Sequence, residues 1–163
     1  MLELPQFDFI IEEKLHRDYF TFYGIKNERS NMNIPILVAA LLTLFAFFAH
    51  AFIGDKEYQA LKPDETDPEK INETWVQTRS GWHWVSVDLL LSSVALFIIA
   101  ITEIIQSKKE ILLLLAIYFM TCGVVWFVTV WLSKSSNKQL LTLGQWVFCF
   151  IMSGLILWGR QSA

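Results

Sequence analysis

Polar and apolar positions divide the chain into long blocks rather than a short repeating rhythm. Residues 34–54, 84–105, 111–132 and 140–158 are almost free of charge, and each approaches the ~20 residues that a helix needs to cross a hydrocarbon layer. None of the four shows the alternation of a barrel strand, which leaves the helix as the way to satisfy the backbone in lipid. The expected fold is all-α, a polytopic membrane protein with four transmembrane helices in an up-down-up-down bundle. A polar loop is expected at 55–81 and short links at 106–110 and 133–139.

Residues 1–33 read as a cytoplasmic amphipathic segment. Within them, 6–23 mix aromatic and charged residues in a helical rhythm that sets Phe7, Ile11, Leu15 and Phe22 to one side, as in a short interfacial helix. The competing reading is a solvated tail. These residues lack the layout of a cleavable leader, so the first helix is expected to stay as an anchor. The loop at 55–81 holds the acidic stretch 62–70, broken by Pro63 and Pro68, and the sequon Asn72-Glu73-Thr74.

Charge decides orientation through Lys and Arg near the helix ends. Lys14, Arg17, Lys26, Arg29, Lys108, Lys109 and Arg160 fall on one face; Lys56, Lys62, Lys70, Arg79, Lys134 and Lys138 fall on the other. The small bias places both termini in the cytoplasm. Cys122 and Cys149 stand near the middles of the last two runs, where thiols serve as small packing residues or, between neighbouring helices, as a pair.

Chemistry is concentrated where the first run ends and the second begins. On a regular helix Ala39, Thr43, Ala46, His50, Gly54 and Glu57 form one stripe of small and polar residues, the kind that turns toward a neighbouring helix. Asp88 lies about one turn inside the second run, where an ionised carboxylate is costly unless paired or functional. His50, Glu57, His83 and Asp88 are therefore the candidate metal ligands, with Asp55, Trp82 and Ser86 supporting and Trp84 as a second wall. Two imidazoles with one or two carboxylates suffice for a divalent transition metal such as zinc or iron. The alternatives are that both histidines sit at headgroup depth, bonded to carbonyls or acids, or that they relay protons or sense pH; haem ligation ranks below a simple metal because His50 and His83 lie near the membrane edge. Glu103, close to Lys108 and Lys109, is expected to serve as an interfacial salt bridge or a snorkelling acid.

The segment His50 to Glu57 followed by Trp82-His83 and Ser86 resembles small uncharacterised four-helix bacterial membrane proteins, in which a His-x-x-x-Gly-acid-Lys segment ends the first helix and a Trp-His pair opens the second. The resemblance covers the first two helices. It implies an architecture, a candidate site and a bacterial inner (plasma) membrane, but no activity.

Three functions stay open. One is a metal site, in which Asp88 or Glu57 would serve as general base beside a metal-bound water. Another is a non-enzymatic subunit or accessory protein of a larger membrane complex, and the third is a homo-oligomeric channel or ion carrier with Asp88 and Glu103 along its path. The partners expected are the lipid bilayer and further membrane chains. With no basic face in the sequence, nucleic acid is not among them.

Overall fold

Asn33 and Pro35 start the first helix. The Asn33 side chain accepts a hydrogen bond from the Ile36 amide at 3.3 Å, and Pro35 occupies the first turn, where its missing N–H costs nothing. The computed structural model describes residues 32–133 and 143–163. Helix α1 spans Ile34–Gln59; it is α-helical over Ile34–Phe48, winds as a π-helix over Ala49–Gly54, and returns to α-helix over Asp55–Gln59. Helix α2 spans Glu69–Ile101, α3 Lys108–Leu132 and α4 Gln145–Arg160. The described residues form no strand. Helices α1, α2 and α3 are long and apolar enough to cross a membrane, and α4, with 16 residues, is shorter.

The polar loop expected at 55–81 is corrected to a short connection between Gln59 and Glu69. Hydropathy marks where lipid-compatible side chains stop, which is not where the backbone stops being helical. Asp55–Gln59 carry on the first helix, and Pro68 with Glu69 in the first turn starts the second. Helix α2 is thus 33 residues, about 50 Å at 1.5 Å per residue, and its first half is polar. It ends at Ile101 rather than 105 because Thr102 turns extended, and α3 starts at Lys108 rather than 111. The interfacial helix expected at 6–23, the link residues 134–139 and the first residues of the run 140–158 lie outside the described residues.

Helix α1 packs against both α2 and α4, and α3 packs against α4. Asn33 ties three helix ends together: its amide donates to the Ala100 carbonyl at 3.1 Å and its side-chain amide to the Gly159 carbonyl at 2.8 Å. Arg160 Nε donates to the Lys109 carbonyl at 3.0 Å, so α3 begins beside the end of α4. The expected pair of Glu103 with Lys108 is formed, at 2.7 Å.

Small residues set how closely the helices approach. A Cβ on Gly159 would lie 2.4 Å from Ile36 Cδ1, and one on Gly123 2.7 Å from Phe150, so the α1–α4 and α3–α4 contacts both depend on hydrogen at those positions. Serine hydroxyls bridge the α1–α2 and α3–α4 seams. Ser93 donates to the Ala40 carbonyl at 3.0 Å and Ser153 to the Ala116 carbonyl at 2.9 Å. Buried positions include Ala39, Ala40, Thr43, Ser93, Ala100, Ala116 and Ser153, whereas Phe45, Leu114, Trp131 and Trp158 are all more than 60% exposed. Ile36, Leu96, Ile99, Leu112, Met152 and Ile156 are buried with the small residues, so the helices present large apolar side chains both to one another and outward.

Candidate functional site

The π-helical turn of α1 is where the two long helices exchange their most specific contacts. Single π turns inside α-helices recur at functional sites, and this one carries His50 and Gly54. The His50 ring stacks on the Trp82 indole with centroids 3.8 Å apart and planes within 10°. Trp82 Nε1 donates to the His50 carbonyl at 3.0 Å, and His50 Nδ1 is joined to the hydroxyl of buried Ser86 at 3.0 Å. Gly54 makes room for the indole, since a Cβ there would fall 2.3 Å from Trp82 Cζ2.

A turn with one extra residue re-registers everything beyond it. On a regular helix His50 shares its stripe with Gly54 and Glu57; after the π turn, the residue carried toward α2 is Asp55. Its carboxylate accepts two bonds from the Arg79 guanidinium, at 3.0 and 3.2 Å, and one from Gln59 Nε2 at 2.6 Å. His83 Nε2 lies 3.3 Å from the same carboxylate, whose side chain is only 15% exposed. Fork geometry makes the Arg79 pair stronger and more directional than a single-point contact.

Aromatic rings continue the cluster toward the loop. Arg79 lies over the Trp75 ring, 5.3 Å from its centroid, and Trp75 Nε1 donates to the Tyr58 carbonyl at 3.3 Å. The Tyr58 ring sits 5.9 Å from Trp82 and 6.2 Å from Trp75. Trp75, Val76, Arg79, Ser80 and His83 line an open depression on this side of α2.

Of the residues singled out in the sequence, His50, Asp55, Trp82, His83 and Ser86 come together. Glu57 is exposed and takes no part in these contacts. Asp88 faces elsewhere: it accepts a hydrogen bond from the Tyr118 hydroxyl of α3 at 3.1 Å. Trp84, expected as a second wall, is 77% exposed. Among the described residues no three of His, Cys, Asp and Glu are gathered as a metal-holding group. Cys122 and Cys149 are free thiols.

Sequence reasoning misses Arg79, Trp75, Tyr58 and Gln59, because the polarity of residues 55–81 reads as loop. A signal was present: Trp75, Arg79, Trp82 and Ser86 follow steps of four, three and four, and Ser93, Leu96 and Ala100 continue the same side of one helix. The assembled site is a clamp of stacked rings and a forked ion pair. Its carboxylate is occupied by arginine and glutamine rather than left open for a metal-bound water. Comparison of the chain with protein-family models, curated proteins and solved structures finds no match.

Proposed function

We propose that this chain is an integral membrane protein, a four-helix up-down-up-down bundle, that works as a non-enzymatic subunit or accessory protein within the bilayer. The cluster of His50, Asp55, Arg79 and Trp82 is its structural clamp. Three helices of spanning length with large apolar side chains turned outward support the membrane reading. The meeting of the start of α1 with the ends of α2 and α4 supports the up-down order. The slight charge bias and the resemblance of the His50 and Trp82-His83 segments support a bacterial inner membrane with both termini cytoplasmic.

The observation that carries the non-enzymatic reading is the occupancy of Asp55. A carboxylate that takes two bonds from Arg79 of α2 and one from Gln59 of its own helix is spent on holding α1 to α2 through Arg79, while Asp88 and Glu57 stand outside the group.

Two measurements test this. Alkaline carbonate washing of membranes is expected to leave the protein in the pellet; release into the wash would overturn the membrane reading. Elemental analysis of protein purified in mild detergent is expected to find no stoichiometric zinc or iron in either the wild type or the His50→Ala, His83→Ala variant. Stoichiometric metal lost in the variant would replace the clamp with a metal site.

A further inference from the structure

We infer that the open depression lined by Trp75, Val76, Arg79, Ser80 and His83 binds a phosphate group, carried by a phospholipid headgroup or free in solution. The inference rests on the membrane reading above for its choice of the lipid as the principal source.

Depth is the first argument. The apolar run of α2 opens at Trp84, and Arg79 precedes it by five residues, about 7.5 Å along the helix axis at 1.5 Å per residue. The polar layer on each side of a hydrocarbon core is roughly 5–8 Å thick. Arg79 and His83 therefore stand at the level of lipid phosphates, with Trp75, Trp82 and Trp84 in the belt that such residues form at the interface.

Donor chemistry is the second. A guanidinium carries five N–H donors in a rigid fork, and Asp55 takes one from Nε and one from Nη2. The rest of the fork remains unspent on Asp55, and the side chain is 32% exposed. His83 meets Asp55 through Nε2 and is 46% exposed, so its ring also lines the depression. Asp55 thus contacts both groups while each keeps an exposed part, and the guanidinium lies over the Trp75 ring. Ser80 gives its proton to the Val76 carbonyl at 2.9 Å, which leaves the Arg79 guanidinium as the donor to an oxyanion, with the His83 ring beside it.

The test uses the full chain, stripped of lipid in mild detergent, titrated separately with bicelles of phosphatidylcholine containing phosphatidylglycerol and with inorganic phosphate, and read by the imidazole NMR signals of His83. Saturable shifts with either titrant support the site, and the arm that saturates at the lower concentration names the source. Arg79→Gln is expected to weaken the binding by at least about tenfold, as loss of charge-assisted hydrogen bonds does. His83→Gln, which leaves the Arg79–Asp55 pair intact, is read through the Arg79 side-chain signals and is expected to weaken it too. Saturable binding unchanged in both variants, or no binding in either arm, would overturn the proposal. Carbonate release of the protein is the separate result that sinks the membrane reading, and it leaves the inorganic phosphate arm standing.

Discussion

Gly54 and Gly81, which lie between the clamp's two histidines in the sequence, illustrate how differently the same residue behaves in this fold. Gly54 is pressed against the Trp82 indole, whereas a Cβ on Gly81 would meet nothing within 4 Å. Gly54→Ala should force the indole away, break its stack with His50 and its bond to the His50 carbonyl, and cost about 1–3 kcal/mol as overpacking does. Gly81→Ala lies inside α2 and should stabilise by about 0.5–1 kcal/mol, because alanine loses less backbone freedom. Denaturant unfolding of the two variants in one detergent separates the predictions by sign. Equal effects would mean that the indole does not seat on Gly54.

Elements here are joined by few but specific contacts. The last turns of α1 hold the first half of α2 through Asp55, Arg79, Trp75 and Tyr58, far from the apolar seam at Ala40 and Ser93. Asp55→Ala should therefore loosen one end of the helix pair only. Amide hydrogen exchange is expected to quicken over residues 55–59 and 69–83 while residues 90–101 keep their protection; uniform quickening would show that the clamp holds the whole bundle. The Ser153 bridge acts on the α3–α4 seam. Ser153→Ala should cost about 0.6 kcal/mol, the usual worth of an interhelical hydrogen bond in a membrane protein, measured by unfolding in detergent.

For the molecule as a whole, the meeting of helix ends at Asn33 matters most. One side chain caps α1 and reaches the end of α4, while its own amide reaches the end of α2. Asn33→Ala loses the cap, worth about 1 kcal/mol, and frees the Gly159 carbonyl. Gly159→Leu should do more, since a leucine there must displace Ile36, which is fully buried. It is expected to separate α1 from α4 and make α4 accessible to limited proteolysis, with the α1–α2 clamp still formed.

The apolar runs were legible from residue order alone because the transfer of side chains into lipid is a local, additive quantity. The stripe of Ala39 and Thr43 was legible for a similar reason: periodicity on a regular helix says which side is narrow. The pairing of Glu103 with Lys108 also followed from their separation. What only the tertiary structure decided is where periodicity stops being regular. The π turn at Ala49–Gly54 is fixed by contacts from another helix, the Trp82 indole over His50 and its bond to the His50 carbonyl. That one extra residue exchanges Glu57 for Asp55 on the face toward α2. The same non-local contacts carry helix through residues whose polarity reads as loop, which brings Arg79 and Trp75 into the site. Hydropathy along a chain measures what each side chain prefers as a solvent, whereas the site depends on which backbone and ring a distant residue supplies.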